Sequence, residues 1–295
     1  MPRSLSRDEL DRYADQGFLI VEDVLGDADF APVEAAYERL VDTIASQHLA
    51  EGRIASAAED EGFTTRLARI EEQLSDSEAT VHKRVLDIME ARLPEMFAFC
   101  FNPNLLAPVE SIVGPEITLS PIQHLRPYTP RRGERQPMQV PWHQDQGVTR
   151  EEADASQILT VWIPLVDVDP GNGCLQVLPG VNKLGLLEHE RGGGTHIKPS
   201  LMPDVEPYDC VMRRGDLLMM SAYTPHHGHQ NRSDRVRWSI DLRFQKTGTP
   251  TGRPDFPEVV VQSRSDPASV QDDYDEWCGR WIAALAAPPK KHHRV

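Results

Sequence analysis

Cysteine is scarce in this chain, and what there is stands unpaired in sequence. Cys100, Cys174, Cys210 and Cys278 are scattered over 295 residues without a CxxC pair. That spacing argues against a disulfide framework or a zinc ribbon and for structural thiols in a reduced compartment. Apolar runs are short, none approaching the roughly 20 residues that span a bilayer. The opening MPRSLSRDEL lacks an apolar core, so no signal peptide is expected and the expected location is cytoplasmic. Basic charge is outweighed: 31 Lys and Arg face 46 Asp and Glu, for a net −15. Such a surface disfavours nucleic acid and anionic membranes as partners. The basic ending KKHHRV is too short to reverse the balance and reads as a frayed tail. Repeats and low-complexity segments are also missing.

What is present is ordinary globular material, 39% hydrophobic and 26% charged, long enough for a large core. SRDELDRYADQGFLIVEDVL reads as a helix running into a strand. Ser6 and Glu9 fit a capping box, Gly17 closes the helix, and Phe18 to Val21 can pair as a strand. Val33, Tyr37, Leu40, Val41 and Ile44 give residues 30–53 a helical stripe. Residues 54–80 are weakly patterned and read as a mobile lid or a surface helix. VHKRVLDIMEARLPEMFAF reads as a helix interrupted near Pro94, and NLLAPVESIVG as a short one closed by Gly114.

From about residue 116 the runs become short, β-branched and punctuated by Pro and Gly. EITLSPIQHLRPY, ILTVWIPLVDV, GCLQVLPG, DLLMMSAYTPH and VRWSIDLRFQ all read as strands. Strands joined by turns imply a β-sandwich or barrel. VQDDYDEWCGRWIAAL is a last helix, with Tyr274, Trp277, Trp281 and Leu285 on one face. The expected layout is one domain over 1–290: a helical layer (1–115), a β core (116–247) and an extension (248–290). A basic tail (291–295) follows.

The chemistry begins at PWHQDQGV. On a strand, residues two apart share a face, so His143 and Asp145 project together and Gln144 opposite. One imidazole and one carboxylate make two-thirds of the 2-His-1-carboxylate set that holds Fe(II) with positions left open. YTPHHGHQNRSDRVRWSIDLRF offers His226, His227 and His229 for the third place. In the strand that follows, Arg237, Ser239, Asp241 and Arg243 alternate with Trp238, Ile240, Leu242 and Phe244. An Arg on that polar face suits a bidentate clamp on a carboxylate. An Fe(II) site beside it suits 2-oxoglutarate.

VPWHQD, LTVWIPLVDVDPGNGCLQVLPG, RRGD and PHHGHQNRSDRVRWSIDLRF, in that order, resemble the phytanoyl-CoA dioxygenase family of Fe(II)/2-oxoglutarate oxygenases. LSRDELDRYADQGFLIVEDVL resembles its start, so the likeness runs from about 5 to 247. It implies a mainly β fold with helices: a double-stranded β-helix, or jelly-roll, core. It implies Fe(II), 2-oxoglutarate and O2, with oxidative decarboxylation to succinate and CO2 coupled to hydroxylation of a small molecule. It also chooses among the histidines. The family's distal metal His has an Asn at +5 and the cosubstrate Arg at +11, which only His226 satisfies, through Asn231 and Arg237.

The same resemblance assigns Thr160 and Ser239 to the cosubstrate. His124 is placed with them, although it and Arg126 stand where the family often has Asn and Lys. Arg126, Trp162 and His229 are candidate substrate contacts. Arg243 is read as an ion pair in preference to a second polar-face cation. Related halogenating enzymes have a small residue where Asp145 stands, so hydroxylation is expected, with desaturation, epoxidation or ring formation open. The substrate-facing loops are expected at 46–80, 127–140 and 184–205, with Arg131, Arg132 and Arg135 near the His143 segment. A monomer or homodimer is expected. Two other readings compete: a metal-binding jelly roll without catalysis, serving as sensor or scaffold, and a zinc hydrolase built on the His-rich loop.

Overall fold

Ser6 and Glu9 start the first helix as their spacing predicts. The Ser6 hydroxyl accepts from the Glu9 N–H and the Glu9 carboxylate accepts from the Ser6 N–H. Two donors without helical partners are thereby satisfied together. Helix α1 (Arg7–Gln16) ends on Gly17, whose φ of 78° is costly for any residue with a side chain. The computed structural model describes residues 2–130, 140–192, 194–288 and 294. Arg131, Arg132 and Arg135 lie outside the described residues, as does most of the basic tail.

Strand β1 (Phe18–Val21) follows, then helices α2 (Asp27–Ala50), α3 (Arg66–Glu71), α4 (Asp76–Val85), α5 (Ile88–Ala91), α6 (Pro94–Phe99) and α7 (Pro103–Val113). The segment expected as one helix interrupted near Pro94 is three. Arg92 caps α5 in the left-handed region (φ 42°), and Leu93 is extended, as the residue before a proline must be. Residues 54–80 are neither a plain surface helix nor wholly peripheral. Leu67, Ile70 and Leu74 are buried in the main core, which charged neighbours hide in the sequence pattern.

The β region supplies β2 (Ile117–Leu119), β3 (His124–Tyr128), β4 (Leu159–Pro164), β5 (Leu175–Val177), β6 (His189–Arg191), β7 (Thr195–Ile197), β8 (Tyr208–Asp209), β9 (Leu217–Ser221), β10 (His226–Gly228), β11 (Arg237–Lys246) and β12 (Val259–Gln262). The run 116–128 thus splits into two strands. Both pair with the long β11, β3 against its first half and β2 against its end. The large antiparallel sheet runs β1-β9-β4-β11-β2-β12, with β3 also on β11. A smaller sheet, β10-β5-β8, and the β6-β7 pair complete the jelly roll.

Alternation along β11 explains its composition. Trp238, Ile240, Leu242 and Phe244 enter the core shared with the helices. Trp238 stacks on Phe63 with ring centroids 4.8 Å apart, and its indole N–H donates to the Phe63 carbonyl at 3.0 Å. On the other face only the β9–β4 part of the large sheet is apolar, where Trp162, Leu218 and Met220 meet Leu175 and Val177 of the small sheet; β11 turns its polar row to that side. Helix α8 (Tyr274–Ala286) buries Trp277 and Trp281. Leu285, expected on that face, is 44% exposed, so the buried stripe ends one turn earlier.

Candidate functional site

His143 and Asp145 do not sit on a regular strand, as their spacing suggested. His143 makes an isolated antiparallel bridge with His226, with N–H···O bonds of 3.0 and 2.9 Å in the two directions. Gln144 is extended (φ −113°, ψ 137°), and Asp145 begins a short 3-10 turn. One extended residue preserves the alternation locally. Gln144 points away, donating to the carbonyls of Gly185 and Tyr223. Its backbone N–H donates to His189 Nε2 at 3.0 Å, which packs His189 against Gly147. A Cβ on Gly147 would lie 2.6 Å from that ring, so this position demands glycine for space.

Donor atoms of His143, Asp145 and His226 lie within 4.8 Å of one another. His143 Nδ1–H donates to the Pro141 carbonyl at 2.9 Å, and His226 Nδ1–H to that of Thr224 at 3.0 Å. Both bonds fix the tautomer that leaves the Nε2 lone pairs free for a metal. His143 Nε2 stands 3.8 Å from Asp145 Oδ1. Burial, with His226 beside it, lowers the His143 imidazole to about 3. The ring is therefore a neutral ligand throughout the neutral range. This donor chemistry fits a ferrous ion with positions left open.

Asp145 is buried, and burial alone would raise its pKa. Arg243, first among the opposing influences, holds it far below the carboxylate range. Arg243 Nη2 donates to Asp145 Oδ1 at 2.8 Å and Nε to Oδ2 at 3.2 Å, a two-pronged pair. Thr160, across from Arg243 on β4, donates its hydroxyl to Asp145 Oδ2 at 2.5 Å. Thr160, assigned to the cosubstrate from sequence, thus gives its proton to the Asp145 carboxylate. His124 is likewise engaged elsewhere, its Nδ1 bonded to Asp87 at 2.8 Å.

Arg237 occupies the opposite end of that face of β11. It is 7% exposed, and its guanidinium lies over Tyr128 and Trp162, 5.0 and 5.2 Å from the ring centroids. Nη1 donates to Ser239 Oγ at 2.5 Å, while Nε is buried without a partner. Burial lowers this guanidinium to about 10, so it stays charged at neutral pH. Among the described residues no carboxylate pairs with it. A buried cation in that state calls for an anion that the described residues do not supply. Trp162, a candidate substrate contact, serves instead as one wall of the Arg237 slot. Arg237→Ala is expected to raise the 2-oxoglutarate concentration for half-maximal succinate formation by tenfold or more (about 1.4 kcal/mol per decade) while leaving metal content unchanged.

The other histidines turn away. His227 Nε2 contacts Gln176 Oε1 at 2.6 Å and its ring packs on Trp142. His229 contacts Asp209 Oδ1 at 2.7 Å and lines a cavity of about 310 Å³ with Arg126, Tyr128, Leu175 and Arg237. Donor atoms of Cys174, Asp209 and His229 also come within 4.8 Å of one another, but Asp209 already accepts from His229 and Gln176. Asn231 ties the β10–β11 connection by donating to the carbonyls of Tyr128 and Arg235, both at 2.7 Å. Two participants carried no sequence signal: His189 under the His143 loop, and Arg253. Arg253 is buried, felt by Arg243 and Asp145, with Nη1 unpaired.

The family profile described as phytanoyl-CoA dioxygenase (PhyH) matches residues 13–239. The peroxisomal phytanoyl-CoA dioxygenase of Bos taurus is 27% identical over 252 residues, covering 81% of this chain and 68% of its own. That of Rattus norvegicus is 24% identical over 251 residues, with the same coverage. Among solved structures, the apo form of the non-haem monooxygenase ThoJ superposes with a TM-score of 0.58 at 16% identity, covering 93% of this chain and 96% of its own. HygX from Streptomyces hygroscopicus, with nickel and 2-oxoglutarate bound, gives 0.55 at 17% identity, covering 83% and 89%. These two show the fold. The chain belongs to the phytanoyl-CoA dioxygenase (PhyH) family of Fe(II)- and 2-oxoglutarate-dependent oxygenases.

Proposed function

We propose that His143, Asp145 and His226 hold Fe(II), that Arg237 and Ser239 receive the distal carboxylate of 2-oxoglutarate, and that the enzyme hydroxylates a C–H bond of a small organic molecule. The observation that carries this reading is Arg237, a buried cation stacked between two rings and lacking an acid among the described residues, on the strand face that also carries Arg243. When bound, iron and 2-oxoglutarate supply the oxidising power, with O2 consumed and succinate and CO2 released. The chain's own groups do the rest. Pro141 and Thr224 carbonyls aim the two imidazoles. Arg243 and Thr160 keep Asp145 ionised and oriented. Tyr128 and Trp162 cover the Arg237 guanidinium and strengthen its grip by excluding water. The cavity beside His229 holds the substrate. Asp145 fills the carboxylate position, which supports hydroxylation.

A metal-binding jelly roll without catalysis would account for the three donors but leaves Arg237 without a purpose. A zinc hydrolase has the same shortfall. The continuous core of helices and sheet supports one catalytic unit over 1–290. No helix among the described residues is long and apolar enough to cross a membrane. A cytoplasmic monomer or homodimer completes the proposal. The test uses anaerobically purified protein supplied with 2-oxoglutarate, ascorbate and air. Succinate is expected with Fe(II) and not with Zn(II), and a substrate screen should yield a product heavier by one oxygen. Metal retention without succinate formation in any mixture would overturn the oxygenase assignment of this site.

A further inference from the structure

The cavity beside Arg237 is walled by apolar groups, Pro127, Tyr128, Val140 and Leu175, yet its charged lining is strongly one-sided. Among the described residues, Lys83, Arg84, Arg126 and Arg237 are four cations against the single carboxylate of Asp87. This concentration stands on a chain of net charge −15. Most of these charges are already engaged. Asp87 accepts from His124 and from the Met89 N–H at the start of α5. Arg84 lies 3.7 Å from Glu90. Arg237 is committed to the cosubstrate under the reading above.

Arg126 is different. It lies opposite Ser239 in the β3–β11 register, with Tyr128 opposite Arg237 and His124 opposite Asp241. The period of two puts Arg126 on the same face of β3 as His124 and Tyr128, the face turned to the polar row of β11. It is exposed, and apart from the backbone ladder to β11 no described residue bonds or pairs with its side chain. A guanidinium at the open end of an apolar cavity, one strand position from the cosubstrate slot, is a receptor for a planar or tetrahedral oxyanion.

We propose that the substrate is a small acid, carboxylate or phosphate, whose anionic group is received by Arg126 at the cavity mouth and whose apolar body lies against Tyr128, Leu175 and Val140. Arg126 is then a specificity-determining residue, distinct from the metal donors and from Arg237. The inference rests on the site reading above for which end of the cavity is reactive. It does not rest on it for the charge preference.

The experiment measures binding by titration calorimetry to the full chain loaded anaerobically with Ni(II) and 2-oxoglutarate. The probes are octanoate, 3-phenylpropanoate and octyl phosphate, each against octanamide, 3-phenylpropanamide or octanol. At least one acid should bind tenfold or more tightly than its neutral counterpart. Arg126→Gln should erase that difference, Arg126→Lys should restore part of it, and neither should alter the affinity for 2-oxoglutarate. The carboxylate and phosphate arms tell which oxyanion the site takes. Equal binding of acid and neutral probes, failure of every acid to bind, or an acid preference that survives Arg126→Gln would overturn the proposal. So would a rise in the 2-oxoglutarate requirement in Arg126→Gln, which would give Arg126 to the cosubstrate. Loss of the metal site in Asp145→Ala is read separately, so failure there is distinguishable from failure here.

Discussion

His226→Ala and Asp145→Ala are each expected to strip the protein of Fe(II) and of 2-oxoglutarate turnover, and His227→Ala and His229→Ala to retain the metal. The argument is directional. His226 gives its Nδ1 proton to Thr224 and presents Nε2 to the same point as His143 and Asp145. His227, its neighbour, faces Gln176 and Trp142, and His229 faces Asp209. Removing one of three donors should exceed the roughly 10–100-fold loss of metal affinity that follows when a ligand's supporting hydrogen bond is lost. Iron content after desalting under anaerobic conditions, together with succinate release, measures both effects. Metal loss in His227→Ala with retention in His226→Ala would place the third donor one residue along and would break the site geometry.

The choice of His226 was legible only through distance along the chain. Strand β10 is three residues long, and His226, His227 and His229 crowd its end, so alternation by itself left all three open. The family resemblance, with its Asn at +5 and Arg at +11, favours His226, and the physical sense of that spacing is now visible. Asn231 pins the turn to the Tyr128 carbonyl, which sets where β11 begins and so where Arg237 lies. The two faces of β11 were equally legible, because each faces a different environment and period two separates them cleanly. The HxD pair was legible for a narrower reason than a strand: one extended residue between the two is enough.

What the sequence hid are contacts between distant segments. The Asp145 carboxylate meets an arginine 98 residues away, and the His143 loop is braced by His189, 45 residues on from Gln144. Arg243 was legible as a polar-face residue and an ion pair, but nothing local names Asp145 as its partner, and His189 has no local pattern at all. Thr160 was placed on the correct strand but beside Arg243, not Arg237, because its register across β11 is fixed by pairing that sequence does not print. The helical layer was misjudged at 54–80 for a similar reason. Its few apolar residues are buried, but their spacing is broken by turns.

Arg243→Met is expected to lower the thermal midpoint of the metal-free protein by on the order of 10 °C. Arg243 and Asp145 are both buried, with side chains 6% and 3% exposed. Methionine fills the volume but leaves the buried Asp145 and the half-buried Asp241 without their cation. Breaking a buried pair from one side costs about 3–5 kcal/mol, and each kcal/mol is worth roughly 2–4 °C in a chain of this size. The sign with pH follows from Asp145, whose folded pKa is depressed below the unfolded 3.8. Its contribution is fully present above that value and is lost as pH falls below it, so calorimetry near pH 7 reads the whole effect. Metal affinity should fall as well, since burial without Arg243 favours the protonated carboxyl. A proton then competes with Fe(II), and the gap from the native protein should widen between pH 8 and pH 6. Arg243→Lys keeps the charge but not the fork and should fall between the two. An unchanged midpoint in Arg243→Met would mean that Asp145 does not depend on this guanidinium. The electrostatic account of the metal-binding carboxylate would then fail, whatever the activity of the variant.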